Sequence, residues 1–219
     1  MRNHMPRTLL SLAGLGVFLL LAYGSEFPTN KNSSNRNGSV GTDARATRYV
    51  NSKSGLTGKL AENYVDFSFD YPSSWKRDPE AGHGGSPNFV KVEGLTSDDI
   101  TIENFAVGYC NAPLALMPQL ATQLNQQFSG GFPEYKKVSE GEARVAGLDA
   151  YEFRFTSHTS KPKEVDFYGR VVLFPNGEGR KGAALIMLAT SESPDVRGID
   201  DVGEKGGLAV ILRSFKFDE

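Results

Sequence analysis

The side chains able to do acid-base, nucleophilic or metal chemistry are few: His4, His83, His158, a single cysteine at Cys110, and carboxylates spread along the chain. A zinc centre needs His, Cys or carboxylates at short spacings such as H-x-x-x-H, and a serine hydrolase needs a base beside a serine raised on a G-x-S-x-G elbow. His4 falls in an apolar N-terminal segment, His83 in the loop Gly82-His83-Gly84-Gly85-Ser86-Pro87, and His158 near a strand end. None has such a neighbour in sequence, and no elbow occurs. They read as surface histidines, and no catalytic residue is assigned. Cys110 reads as a small buried apolar residue near a strand end, not as a reactive thiol.

Gly177-Glu178-Gly179-Arg180-Lys181-Gly182 matches the dinucleotide pattern G-x-G-x-x-G, with Asp200 and Asp201 near the distance of a ribose-binding acid. That fingerprint requires a strand before and a helix after, so that the phosphate meets a helix N-terminus. Here Ala183 to Ala189 is an apolar strand-like run. The glycines therefore predict a hairpin loop with Arg180 and Lys181 at a solvated tip, and no cofactor is assigned. Ser97-Asp98-Asp99 and Asp200-Asp201 lack the glycine-spaced ligand loop of a calcium site and read as turns. Spacing defines no metal-ligand set, and a glycosidase carboxylate pair is not identifiable without geometry.

These residues are carried by alternating strands and one clear helix. Val65, Phe67, Phe69 and Tyr71 alternate with Asp66, Ser68 and Asp70, which predicts a strand with one buried side. Pro72-Ser73-Ser74 turns the chain, and Trp75, the only tryptophan, docks on the core beside it. Short strands are expected near Asn88 to Val92 and Ile100 to Tyr109. Leu114, Met117, Leu120, Ala121, Leu124 and Phe128 form one helical stripe opposite Gln119, Gln123, Asn125, Gln126 and Gln127, with Pro118 in the first turn and Gly130-Gly131 and Pro133 at the end. Strands follow near Tyr135 to Ser139, Glu142 to Val145, through Tyr151, Phe153 and Phe155, and from Asp166 to Phe174. Turns fall at Ala146-Gly147 and Asn176-Gly177. The tail from Asp195 to Arg213 predicts a helix frayed at its start, then a short edge strand at Ser214 to Phe217. Strands joined so tightly are antiparallel.

The flanking segments set the address. Arg2 and Arg7 precede an uncharged stretch, Thr8 to Gly24, rich in leucine, and Ala22-Tyr23-Gly24 places small residues before Ser25. Residues 1–24 read as a secretory signal peptide, or failing cleavage as an N-terminal membrane anchor. Residues 25–62, rich in Asn, Ser and Gly, read as a disordered linker. Asn32-Ser33-Ser34 and Asn37-Gly38-Ser39 fit the glycosylation pattern by chance in such a tract. A single domain is left at 63–219, with 16 basic against 23 acidic residues, which argues against nucleic acid. With one thiol it holds no internal disulfide. The expected location is exported, periplasmic or extracellular, with membrane contact only through the N-terminal segment.

Phe67-Ser68-Phe69-Asp70-Tyr71-Pro72-Ser73-Ser74-Trp75-Lys76, an aromatic strand running into Y-P-x-x-W, resembles the opening of PsbP-like domains, which include the extrinsic photosystem II protein and exported bacterial DcrB-type relatives. The hairpin Val145-Ala146-Gly147-Leu148-Asp149-Ala150-Tyr151-Glu152-Phe153 and the ending Arg213-Ser214-Phe215-Lys216-Phe217 agree with it. The resemblance implies an α+β fold, an antiparallel sheet with helices packed on both faces (an α/β/α sandwich). It also implies a non-catalytic assembly, stabilising or binding role, with an envelope or membrane protein complex as the expected kind of partner. Fold is not function. The photosystem protein acts through a basic surface, whereas this domain is acidic, so no binding residue is carried over. The leading expectation is a non-enzymatic exported accessory or binding protein. Its rivals are a hydrolase with an unrecognised site and a metal- or calcium-binding stabiliser of a membrane protein complex.

Overall fold

The computed structural model of the chain describes residues 45–83, 85–160, 163–177 and 179–218. The expected signal segment and the first part of the tract after it, 25–44, lie outside the described residues. In chain order the elements are β1 (Ala46–Val50), α1 (Gly58–Glu62), β2 (Phe67–Pro72), β3 (Lys76–Arg77), β4 (Asn88–Leu95), β5 (Thr101–Cys110), a 3-10 turn (Leu114–Leu116), α2 (Met117–Gly131), β6 (Lys136–Val145), β7 (Leu148–Thr159), β8 (Val165–Phe174), β9 (Gly182–Thr190), a second 3-10 turn (Ile199–Asp201), α3 (Gly206–Ser214) and β10 (Lys216–Phe217).

The strands form two antiparallel sheets. The larger has the order β3-β4-β5-β9-β8-β7-β6 and the smaller β1-β2-β10. An α+β class built on antiparallel pairing was expected; a second sheet was not. Alternation along the large sheet sends side chains two ways. Tyr151, Phe153 and Phe155 of β7, with Val171 and Leu173 of β8 and Ile186 of β9, pack with Met117, Leu120, Leu124 and Phe128 of α2. The Phe128 and Phe155 rings lie 5.2 Å apart. Side chains of the other parity, including Phe105, Val107, Leu185 and Met187, pack with Phe67 and Phe69 of β2 and with Leu208, Ile211 and Phe215. Phe69 meets Phe105 edge to face at 5.0 Å. Each fully buried side chain of this size contributes roughly 1.5–3 kcal/mol, so these two interiors hold the sheets together.

Three differences from the sequence reading stand out. Residues 45–62 are not linker: β1 pairs with β2 along its whole length, Ala46 opposite Pro72 through Val50 opposite Ser68. The domain therefore begins by Arg45, not at residue 63. The two strands expected between Tyr135 and Val145 are one strand, β6, with the register shift between Lys137 and Ser139 that marks a bulge at Val138. The C-terminal helix is confined to Gly206–Ser214, because Gly203 and Gly206 take positive φ of 81° and 63° and break the helical path before it.

Glycines also explain close packing. Trp75 lies between Gly94 and Gly207, where an added Cβ would come within 2.8 and 2.2 Å of its ring. Phe155 covers Gly169, its cross-strand partner, where an added Cβ would stand 2.2 Å from the ring.

Candidate functional site

Among the described residues, His158 is the one histidine whose side chain the fold gives a partner. The register of β7 on β8 sets it opposite Asp166, and its Nδ1 lies 2.8 Å from Asp166 Oδ1. Asp166 is itself fixed, because its N–H donates to Ser191 Oγ at 3.1 Å and its carbonyl accepts the Ser191 N–H at 2.9 Å. The bond to Asp166 raises the His158 pKa above its ordinary value; partial desolvation opposes the rise, and the charges of Glu134, Asp166 and Glu164 add to it. A histidine oriented by a carboxylate supplies two of the three members of a catalytic triad. No hydroxyl is bonded to His158 among the described residues: Ser191 Oγ accepts the Asp166 N–H, and Ser157 donates its hydroxyl to the Pro133 carbonyl.

The other singled-out residues are engaged in the fold. His83 sits in a turn, its N–H donating to Glu80 and its carbonyl accepting from Ser86. Cys110 ends β5 with 1% exposure, its Sγ 3.8 Å from Met117 Sδ, and burial pushes its thiol up to about 12. It is a thiol, not a thiolate, at neutral pH. Asp99 pairs with Lys76 at 2.6 Å, Asp200 with Arg154 at 3.5 Å and Asp201 with Lys205 at 2.9 Å. No group of three or more His, Cys, Asp or Glu side chains able to hold a metal occurs among the described residues.

The glycine pattern is a hairpin, as its context predicts. β9 follows it, and Gly177 bridges Arg180 inside the loop. Gly182 is required because a Cβ there would stand 2.2 Å from the Cys110 carbonyl oxygen and 2.3 Å from that of Phe174. The expectation of a solvated basic tip is corrected. The Arg180 guanidinium lies 3.7 Å over the Phe217 ring, and Lys181 Nζ donates to the Glu62 carbonyl.

Two charged residues that drew no notice in the sequence occupy the interior. Glu103 of β5 is 4% exposed; it accepts the Ser193 hydroxyl at 2.7 Å and the Leu208 N–H of α3 at 3.3 Å, and burial raises its pKa. It occupies the N-terminus of α3, where a negative end is favoured. Arg170 of β8 is 6% exposed and reaches Glu152 at 2.9 Å, Glu204 at 2.9 Å and the Val202 carbonyl at 3.3 Å. The sequence signal for either is a charge within a largely apolar strand.

In class, the fold defines an α+β protein built on antiparallel sheets. No protein-family model and no curated protein matches the chain. It is similar to the solution structure of cyanobacterial PsbP (CyanoP) from Synechocystis sp. PCC 6803, with 20% identity, 84% of this chain and 98% of that chain covered, and a TM-score of 0.48. It is also similar to the crystal structure of LpqN, involved in cell envelope biogenesis of Mycobacterium tuberculosis, with 11% identity, 81% and 94% covered, and a TM-score of 0.39.

Proposed function

We propose that the chain is a non-enzymatic accessory or binding protein of the cell envelope, exported by its N-terminal segment. The observation that carries the non-enzymatic part is the engagement of its reactive side chains. Cys110 is buried as a thiol, Glu103 holds α3, and His158 is tied to Asp166 with no serine hydroxyl bonded to it among the described residues. The export part rests on Arg2, Arg7 and the uncharged stretch from Thr8 to Gly24. The architecture belongs to the same reading: an α/β/α sandwich in which the small sheet shares the layer of α3.

Fractionation of the native host, followed by N-terminal sequencing, tests export. The expected result is recovery outside the cytoplasm with a start at Ser25, or an intact Met1 in the membrane fraction if the segment is retained. Recovery of the intact chain from the cytoplasm overturns export. For the second half, the purified protein is offered panels of esters, phosphates and glycosides. No turnover is expected, and an activity that disappears in His158→Ala establishes an enzyme instead.

A further inference from the structure

From Asn104 to Pro133 the chain runs for thirty residues without Asp, Glu, Lys, Arg or His. Part of the run is buried in β5. The remainder forms the first 3-10 turn and α2, whose inner stripe is buried and whose outer side is exposed. Leu114 and Leu116 are 40% and 41% exposed. Behind them Gln119, Gln123, Gln126 and Gln127 are exposed at helical steps of four, three and one, which aligns them along one side. Other polar residues of α2 are bonded within the protein: Thr122 to the Pro118 carbonyl, Asn125 to the Ala121 carbonyl and to Tyr135, Ser129 to the Gln126 carbonyl. The four glutamine amides have no hydrogen bond to the protein among the described residues.

A soluble surface ordinarily mixes charges of both signs at about a quarter to a third of its residues, and depletion of Lys, Glu and Asp marks the centre of protein interfaces. We propose that this uncharged face, α2 with the turn before it, is where a second copy of the same chain docks. Two observations choose that occupant. Residues 45–219 carry 24 acidic and 20 basic residues, so two copies meet least repulsion across a face with no charge, while a charged partner gains nothing there. Each primary amide carries both donors and an acceptor, so a row of glutamines is complementary to itself across a two-fold axis. An axis near Gln123 sets Gln119 opposite Gln127 of the partner subunit. The 15-residue helix is only about 22 Å long, so the contact falls at or below the roughly 1,200 Å² lower limit of stable interfaces. The dimer is weak and concentration-dependent.

Sedimentation equilibrium of the full chain over a range of concentrations tests this. Wild type is expected to show a reversible monomer–dimer equilibrium. Gln123→Glu and Gln123→Lys, each putting like charges across the axis, are each expected to weaken it about tenfold or more. An equimolar mixture of the two variants is expected to recover association as a heterodimer. Residue 123 is exposed, and unchanged circular dichroism confirms that the variants fold. A chain that stays monomeric throughout overturns the proposal, as it would if the face served a different partner. A dimer indifferent to both charges also overturns it, since association through the apolar N-terminal segment ignores residue 123.

Discussion

At the scale of single residues, the polar side chains of this domain act on their neighbours. Glu103, Arg170 and His158 each fix the position of a backbone segment or a second side chain. Of these, His158 is the imidazole, the side chain type whose ordinary pKa lies nearest neutrality. Its folded-state pKa is raised by the bond to Asp166, so the folded state holds the proton more tightly than the unfolded chain does. The stability this adds is fully present below the ordinary value of 6.5 and is lost as pH rises through the folded value. Thermal melts of wild type and His158→Ala across that window should therefore differ most on the acid side and converge as pH rises. A gap that widens with pH would contradict the assignment. The Asp166 partner is eight residues away and invisible to a search for ligand spacings, because the β7–β8 register, not the spacing, brings the two together.

At the scale of elements, β1 separates local from tertiary information. Its sequence, Ala46-Thr47-Arg48-Tyr49-Val50, is mostly exposed and has no stripe by which to recognise a strand. It is held by pairing to β2 and by Tyr49, whose ring lies 5.3 Å from Phe69 and 5.9 Å from Phe67 and whose hydroxyl bonds Asn51 at 3.0 Å. Burial pushes that hydroxyl up to about 12. Tyr49→Ala should cost roughly 2 to 3 kcal/mol in denaturant unfolding, somewhat below the range for a fully buried aromatic. A change within about 0.5 kcal/mol, as at a bland surface site, would return 45–62 to the linker. By contrast α2 was legible, since its five buried residues are all members of the apolar stripe and Pro118 and Pro133 bound it.

At the scale of the whole molecule, Arg170 ties the sheet to the segment that leads into α3. Its guanidinium joins Glu152 on β7 to Glu204 and the Val202 carbonyl. Replacing it with Met keeps the volume but leaves Glu152, only 17% exposed, with Arg154 at 3.2 Å as its remaining cation. The expected loss is about 2 to 3 kcal/mol, less than for a fully buried pair because Glu204 stays half exposed. Equilibrium unfolding measures it, and faster amide exchange across 199–208 should accompany it. An unchanged midpoint would mean that α3 is docked without Arg170, by apolar packing and by Glu103.

Alternation, apolar runs and helical spacing by themselves determined that β2, β4, β5, β7, β8 and β9 are strands, that α2 lies on a core, and that the glycine pattern is a hairpin. These follow because the side-chain period of an element is a local property. Only the tertiary structure decided that the strands divide into two sheets, that β5 lies beside β9, and that Glu103 reaches Leu208 across 105 residues. Periodicity says which side of a segment is apolar but not which distant segment will cover it. That choice depends on packing and backbone pairing between parts of the chain far apart in sequence.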